Sequence, residues 1–318
     1  MTRLLPKLQL RQIKMASVKH FLNINQFDNR TLREILDRGL VLKNDWAKGD
    51  RNQLFNDGRT LVMIFEKPST RTRVSFQVAM QQLGGTVVVI SDTDSQLGRG
   101  ETLTDTAQVL SRYADIIMIR TDKAQKLQEL ATHSTIPVIN GLTDESHPCQ
   151  IMADIMTYEE HRESITGRIV TWSGDGNNVA QSWIHAAVKL GFTLRLACPD
   201  SLRPPETLLE WASLEGGDIW LSDNPKDSID GADLVITDTW VSMGDKNIEE
   251  RRQTLLPFQV NKALMERANK DALFMHCLPA HRGEEVTSEV IDGPQSVVWD
   301  EAENRLHAQK GILSWCLE

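Results

Sequence analysis

Phe65-Glu66-Lys67-Pro68-Ser69-Thr70-Arg71-Thr72-Arg73 joins a predicted strand to a predicted helix. The apolar run 61–65 is short, continuous and followed by a proline, which is typical of a buried strand. The pattern over 74–83 predicts a helix, which Thr70 or a neighbouring hydroxyl residue caps and Gly84-Gly85 ends. Hydroxyl groups and arginines therefore meet a helix N-terminus, where free N–H groups and the helix dipole favour a bound anion. The alternative is an ordinary capped helix with exposed arginines.

The composition leaves room for two domains and excludes several classes of protein. The chain has 318 residues, and no apolar run approaches the roughly 20 residues of a membrane span. A net charge of −9 disfavours a nucleic-acid binder, which normally carries a basic face. The four cysteines are far apart, so they predict neither a zinc site nor a disulfide framework, and they fit a cytoplasmic location. They are Cys149, Cys198, Cys277 and Cys316.

Strand and helix patterns alternate along the chain. The predicted strands cover 61–65, 85–90, 115–120, 137–139, 168–172, 194–197, 234–237, 273–275 and, as the last candidate, 297–299. The clearest helical patterns between and around them cover 28–48, 104–113, 124–133, 179–190 and 302–317. This alternation predicts an α/β fold with two domains, each a parallel β-sheet flanked by helices.

We expect the two domains to meet near residue 150. The first covers 15–150 and is joined by the C-terminal helix at about 301–318, and the second covers 151–300. A helix that begins at Pro148 is expected to bridge the two domains, since proline suits the first helical position. Residues 1–14 hold four basic residues, no acid and no secretory signal, and we interpret them as a disordered extension.

Residues with useful chemistry follow the carboxyl ends of four predicted strands. They are Ser69, Arg120, Asp238 and Cys277. In open parallel sheets ligands bind at that edge. The serine and the arginine suit an anion, and the carboxylate suits an ammonium group. A turn with a capping aspartate and a small buried cysteine are the structural alternatives.

Two further motifs lie at predicted helix N-termini. His147-Pro148-Cys149-Gln150 could hold a carbonyl oxygen and an amide, although a histidine taken alone is more often structural. Gly174-Asp175-Gly176-Asn177-Asn178 follows a strand but has Val179 where a dinucleotide-binding motif needs its third glycine. Asn178 could instead present its amide to an amino-acid head group, and Asn177 could simply cap the helix.

Five motifs in the same order resemble the ornithine carbamoyltransferases of the aspartate/ornithine carbamoyltransferase superfamily. They are Ser69-Thr70-Arg71-Thr72, His147-Pro148-Cys149-Gln150, Ser242-Met243-Gly244, His276-Cys277-Leu278-Pro279 and Asp300 to Arg305. The resemblance covers the chain from about Met15 to the C-terminus. It implies that carbamoyl phosphate binds the first domain, that L-ornithine binds the second, and that the site lies in the cleft between them.

The resemblance also implies the reaction and the role of each site residue. The δ-amine of ornithine takes the carbamoyl group, which gives citrulline and phosphate without a metal or organic cofactor, in a homotrimer or a multiple of trimers. Expected for carbamoyl phosphate are Ser69, Thr70, Arg71, Thr72, Gln96, Arg120, His147, Gln150, Cys277, Leu278 and Arg305. Expected for ornithine are Asn178, Asp238, Ser242 and Met243. Expected for catalysis are Arg71, Arg120, His147, Asp238 and Cys277.

Two other functions fit parts of this pattern. A related enzyme could use aspartate, N-acetylornithine or putrescine as the acceptor, although the aspartate enzymes lack Ser242-Met243-Gly244. A non-catalytic sensor could have kept the anion loop alone, but it has no need of Asp238, Cys277 and Arg305. The loop after Pro279 is one of several lengths in this family, and its effect on the site does not follow from the sequence.

Overall fold

The computed structural model of the chain describes residues 18–51, 53–91, 100–241 and 247–318. Within these ranges the strands form two parallel sheets, which confirms the predicted α/β fold class. The first sheet contains β1 Thr60–Phe65, β2 Thr86–Ser91, β3 Ile116–Arg120 and β4 Val138–Leu142, in the order β2-β1-β3-β4. The second contains β5 Ile169–Ser173, β6 Thr193–Ala197, β7 Ile219–Ser222, β8 Leu234–Thr237 and β9 Leu273–His276, in the order β7-β6-β5-β8-β9.

Helices connect the strands and flank the two sheets. In the first half they are α1 Asn29–Ala47, α2 Thr70–Gln82, α3 Leu103–Leu110, α4 Ala124–His133 and α5 Pro148–His161. In the second half they are α6 Asn178–Leu190, α7 Glu206–Leu214, α8 Pro225–Ile229, α9 Ile248–Leu255, α10 Lys262–Met265, α11 Ser288–Ile291 and α12 Val298–Cys316. Among the described helices, none combines the length and the apolar character that a membrane span requires.

The strand register brings the carboxyl ends of the first sheet to one edge. β1 is buried over 61–65 and pairs in parallel with β2 and β3. Phe65, its last residue, lies opposite Ser91 of β2 and Arg120 of β3. The backbone N–H of Glu66 then donates to the carbonyl oxygen of Arg120 at 3.0 Å. Arg120 therefore emerges beside the loop that follows β1.

The last helix packs against helices from the first half of the chain, namely α1, α2 and α5. Two glycines permit the close approach of α1 and α12. A Cβ atom on Gly311 would lie 2.4 Å from the carbonyl oxygen of Ile35, and one on Gly39 would lie 2.9 Å from that of His307. Residues near the start of α12 are thereby held against α2 and α5.

The predicted strand over 297–299 is wrong, because α12 begins at Val298. Ser296 forms a single parallel bridge with Phe274, and the N–H of Val297 donates to the carbonyl oxygen of Phe274 at 3.0 Å. The chain then turns into a helix whose first turn holds Asp300 and Glu301, which suit the positive end of the helix dipole. The division near residue 150 stays a prediction, and the extension over 1–14 lies outside the described residues.

Candidate active site

The loop after β1 leads into α2 four residues earlier than predicted. The helix begins at Thr70, so Arg71, Thr72 and Arg73 lie in its first turn, and Ser69 is the N-cap. The Ser69 side chain makes no capping bond, and its hydroxyl accepts a hydrogen bond of 3.1 Å from Nη1 of Arg120 instead. A hydroxyl residue therefore occupies the N-cap as predicted, but its side chain does not make the capping bond. The distant arginine competes for the oxygen that would have capped it.

Thr72 links two arginines from distant parts of the chain. Its buried hydroxyl accepts from Nη1 of Arg120 at 3.3 Å and from Nη2 of Arg305 at 2.9 Å. Burial lowers the pKa of Arg120 to about 10, and the charges of Arg305 and Arg71 contribute to this lowering. Burial also lowers the pKa of Arg305. Several positive charges are thus gathered at the N-terminus of α2, which is an arrangement that an anion stabilises.

The positions of Thr70 and Arg71 differ from that of Thr72. Both side chains are exposed in the first turn of α2, whereas Thr72 points inward. Arg71 is nevertheless close enough for its charge to act on Arg120 and on Arg305. The helical spacing therefore places one arginine of the motif at the solvent side of the cluster and a threonine at its buried side.

His147 is the N-cap of α5, and Pro148 occupies the first helical position as predicted. The backbone N–H of His147 donates to the hydroxyl of Ser182 at 2.8 Å, and the residue is 5% exposed. Burial lowers the pKa of His147 well below its usual value, and the charges of Arg305 and Arg120 add to this effect. The imidazole is therefore neutral at pH 7 and offers one N–H donor.

Gln150 lies one turn further along α5 and is fully buried. Its Nε2 donates to Oδ1 of Asp154 at 2.7 Å and to Oε1 of Glu301 at 3.1 Å. Sequence reasoning did not single out Asp154 or Glu301, which are buried carboxyl groups from α5 and α12. The only local signal for Asp154 was its place one helical turn after Gln150, on the same face.

Four buried polar atoms of this cluster make no hydrogen bond to any of the described residues. They are Nε of Arg120, Nε of Arg305, Nδ1 of His147 and Oε1 of Gln150. Both arginine atoms can only donate, and the glutamine oxygen can only accept. A buried polar atom without a partner is costly, so such a set is expected where a polar ligand binds.

Asp238 follows β8 and contacts Cys277, which follows β9, as the shared sheet edge predicts. The thiol of Cys277 donates to Oδ1 of Asp238 at 3.1 Å. The N–H of Thr239 donates to the same oxygen at 2.7 Å, and Nδ2 of Asn177 donates to Oδ2 at 2.8 Å. Burial, followed by the charge of Asp238, raises the pKa of Cys277 well above its usual value, so the thiol is protonated at neutral pH.

Asn177, and not Asn178, reaches Asp238. Oδ1 of Asn177 caps α6 by accepting from the N–H groups of Val179 and Ala180, while its Nδ2 orients the carboxylate. Nδ2 of Asn178 donates to the carbonyl oxygen of Thr143 at 2.7 Å, in the turn after β4. Its amide thus bonds to a segment that follows the first sheet. Sequence reasoning assigned Asn177 only a capping role.

Leu278 has a left-handed backbone, with φ of +56°, directly after Cys277. Its N–H donates to Nδ1 of His276 at 2.9 Å, and Nε2 of His276 lies 3.1 Å from Oε1 of the buried Glu285. A carboxylate can only accept, so this contact places the imidazole proton on Nε2 and leaves Nδ1 as the acceptor. This local network holds the turn that presents Cys277.

Asp238, His276 and Cys277 also offer ligand atoms within 4.8 Å of one another. Both ring nitrogens of His276 already bond to protein groups, and the thiol of Cys277 is protonated, so neither residue offers a free lone pair of the kind a metal needs. We therefore assign no metal to this cluster. Of the residues expected in the site, Gln96, Ser242 and Met243 lie outside the described residues.

Comparisons with known proteins agree along almost the whole chain. Residues 19–160 match the family model of the carbamoyl-phosphate-binding domain of aspartate/ornithine carbamoyltransferase, and residues 166–316 match that of its aspartate/ornithine-binding domain. The ornithine carbamoyltransferase of Rhodopseudomonas palustris strain BisA53 is 57% identical over 302 residues, which cover 94% of this chain and 97% of that protein.

Solved structures show the same relationship. The ornithine carbamoyltransferase of Pyrococcus furiosus is 48% identical with a TM-score of 0.89, over 93% of this chain and 96% of that one. That of Burkholderia thailandensis E264 is 47% identical with a TM-score of 0.87, over 94% and 99% of the two chains. This chain therefore belongs to the aspartate/ornithine carbamoyltransferase family, and within it to the ornithine carbamoyltransferases.

Proposed function

We propose that this chain transfers the carbamoyl group of carbamoyl phosphate to the δ-amine of L-ornithine, which gives L-citrulline and phosphate. The observation that carries the proposal is the set of unpaired buried atoms on Arg120, Arg305, His147 and Gln150. A carbamoyl group has a carbonyl oxygen that needs donors and an NH2 group that needs an acceptor. The cluster supplies both. In the cell, the reaction serves arginine biosynthesis or, in reverse, arginine catabolism.

The N-terminus of α2 is the proposed phosphate site. Ser69, Thr70, Arg71 and Thr72 offer hydroxyl groups, first-turn N–H groups and a guanidinium in one helical turn. Arg120 and Arg305 add positive charge from the buried side through their bonds to Thr72. Burial in a site of low dielectric strengthens the attraction of these groups for a phosphate.

Arg120 and His147 are the proposed donors to the carbonyl oxygen of the carbamoyl group. When the amine attacks, negative charge develops on that oxygen, and donors already aimed at it stabilise the transition state more than the ground state. His147 is neutral, so it donates a hydrogen bond without adding a third buried cation beside Arg120 and Arg305. Gln150 accepts from the NH2 group. Leu278, whose backbone is left-handed directly after Cys277, completes the proposed carbamoyl-phosphate site.

Asp238 is the proposed partner of ornithine's α-ammonium group. Its carboxylate is oriented by Asn177, Thr239 and the Cys277 thiol. Asn178, Ser242 and Met243 complete the proposed ornithine site. The δ-amine attacks as the neutral base, and the C–N bond forms. The C–O bond to phosphate then breaks, and the proton that the amine loses leaves with the phosphate. Cys277 remains a protonated thiol that faces the reacting amine and orients Asp238.

We also propose that the chain works as a cytoplasmic trimer in which Gln96 reaches the site of a neighbouring subunit. A cavity of about 560 Å³ lies beside the phosphate loop, lined by Ser69, Thr70, Arg73, Val74 and Val89 among others. Val74 is 54% exposed there, and an apolar side chain at the mouth of a polar site suits a covering subunit. Light scattering should give a mass of about three chains, and loss of Gln96 should lower activity only in the assembled protein.

Carbamoyl transfer with separate acceptors tests the proposed reaction. The protein is given labelled carbamoyl phosphate with L-ornithine, L-aspartate, N-acetyl-L-ornithine or putrescine. We expect citrulline from ornithine and no comparable transfer to the other three. Transfer to a different amine would keep the carbamoyl-phosphate residues and overturn the ornithine site. Binding of carbamoyl phosphate without transfer to any amine would support a sensor.

A further inference from the structure

A pair of buried carboxyl groups lies behind Gln150. Asp154 comes from α5 and Glu301 from the first turn of α12, and each is 1% exposed. They hydrogen-bond to each other and to the amide of Gln150. Glu301 also accepts the backbone N–H of His276 at 2.8 Å, at the end of β9. The pair therefore joins the proposed carbamoyl site to the turn that carries Cys277.

The pair holds at least one proton at neutral pH. Burial raises the pKa of Asp154 to about 7, and burial together with the nearby Asp154 raises the pKa of Glu301 well above its usual value. Two carboxyl groups in contact cannot both ionise at low cost. With one shared proton between them, the two groups still offer acceptor oxygens to Gln150 and to His276.

This pattern of hydrogen bonds leaves the Gln150 amide one orientation. Its Nε2 is the atom that faces both carboxyl groups, at 2.7 and 3.1 Å, so both of its N–H bonds are used. Its Oε1 is then turned away from them, is buried, and accepts no bond from the described residues. A flipped amide would set Oε1 against the carboxylate oxygens. Only the observed orientation offers a ligand an acceptor.

We propose that Asp154 and Glu301 are positioning residues that select this orientation of Gln150, and that they thereby make the site prefer a carbamoyl group to an acetyl group of the same shape. The inference rests on the proposed function and deepens it, because it names the residues that select carbamoyl phosphate as the substrate that donates the group. Carbamoyl phosphate donates an N–H to Oε1 of Gln150. Acetyl phosphate has a methyl group at that position and leaves the oxygen unpaired.

Glu301→Gln is the informative substitution because glutamine has the same shape as glutamate but puts a donor where Glu301 accepts from Gln150. Its amide oxygen must face the N–H of His276, which can only donate, so its NH2 group faces Nε2 of Gln150. Two donors then oppose each other. Gln150 relieves the conflict by turning its oxygen inward, where the protonated carboxyl of Asp154 can donate to it. It then presents an N–H to the N–H of carbamoyl phosphate.

Asp154→Asn makes the same single-atom exchange without that conflict. Its Oδ1 can keep the bond from Gln150, and its Nδ2 can donate to a carboxyl oxygen of Glu301. We therefore expect the two matched variants to differ, although both replace one buried carboxyl of the same pair by an amide. A purely structural role of the pair gives no reason for this difference.

The experiment measures the affinities of wild type and variants for carbamoyl phosphate, acetyl phosphate and inorganic phosphate. We expect the wild type to prefer carbamoyl phosphate to acetyl phosphate. Glu301→Gln should reduce this preference about tenfold or more, while its affinity for inorganic phosphate, which does not contact Gln150, stays within about twofold. Asp154→Asn should keep the preference within about threefold. Glu301→Asp retains a carboxyl group but is too short to reach both of its donors, so the preference should fall there too.

Several outcomes would overturn the inference. It fails if Glu301→Gln keeps the wild-type preference, or if both isosteric variants lose it equally. It also fails if phosphate binding is lost in parallel, because the defect is then structural. If Glu301→Gln does not fold, the test uses Glu301→Asp, and the ratio of its affinities for carbamoyl phosphate and acetyl phosphate decides. A wild type that transfers no carbamoyl group to ornithine contradicts the proposed function instead, which the acceptor assay detects separately.

Discussion

Arg305 donates a hydrogen bond of 2.9 Å to the hydroxyl of Thr72, a residue 233 positions earlier in the chain. The same hydroxyl accepts from Arg120 at 3.3 Å. One threonine therefore holds two arginines from β3 and α12 at the N-terminus of α2. Because their mutual repulsion opposes this arrangement, the threonine is a sensitive point for both substrate binding and stability.

Thr72→Val removes the shared hydroxyl at nearly constant volume. We expect the KM for carbamoyl phosphate to rise about tenfold and the free energy of unfolding to fall by about 1–3 kcal/mol, since the buried guanidinium of Arg305 and the partly buried one of Arg120 lose an acceptor. Steady-state kinetics and urea unfolding measure the two effects. Thr106→Val is the matched control, because its buried hydroxyl makes no hydrogen bond to the described residues, and that change should be neutral or stabilising. Equal effects at both positions would contradict the role of Thr72.

Arg120→Ala removes a proposed donor to the developing oxyanion. We expect kcat to fall about 100- to 1,000-fold. The melting temperature should not drop by much, because the arginine lies among other positive charges, which together with burial lower its pKa to about 10. Rapid-quench assays and thermal scans check the two expectations. Arg112→Ala, at an exposed position, is the control, and normal turnover in folded Arg120→Ala would remove this residue from the mechanism.

The pH dependence of kcat/KM in the wild type shows whether the neutral δ-amine of ornithine is the nucleophile. A free alkyl amine has a pKa near that of lysine, about 10.4, so the fraction of neutral ornithine δ-amine rises from about pH 7 to about pH 9. His147 is already neutral over this range, since burial lowers its pKa well below the usual value. We expect log kcat/KM to rise with pH at a slope near one. A flat profile, with chemistry shown to limit the rate, would argue against attack by the free amine.

His185 should make the fold less stable in mild acid. Burial lowers its pKa to about 4, whereas in the unfolded chain it titrates near its usual value of 6.5. Between these values the unfolded state binds more protons, so stability falls as the pH falls, by about 1.4 kcal/mol per pH unit for one such group.

The variant His185→Phe tests this dependence without leaving a gap beside Trp211, whose ring lies edge-on to His185 at 5.0 Å. Urea unfolding at pH 6.5, 5.5 and 4.5 should show a shallower loss of stability in the variant than in the wild type. Above pH 7 the pH dependence of the two proteins should run in parallel. An unchanged slope between pH 6.5 and 4.5 would mean that His185 is protonated within the fold.

Local patterns in the sequence predicted the first and last residues of several elements correctly. The strand Leu234–Thr237 and the helix Ala124–His133 have the predicted bounds, and Pro148 begins α5 as expected. These features depend on apolar period, caps and proline geometry, which act over a few neighbours. The motif order also identified the family from about Met15 onward, and the comparisons confirm it. The roles of the individual site residues stay predictions.

The tertiary structure decided the features that depend on residues far apart in the chain. Thr72 faces inward because Arg120 and Arg305 bond to it, and Ser69 leaves its capping role for Arg120. Gln150 has one orientation because Glu301, 151 positions later, accepts from its Nε2. The apolar run at 297–299 became the start of a helix rather than a strand. No local pattern encodes such contacts, because the pairing of β1 with β3 and the packing of α12 against α2 and α5 create them only when the chain folds.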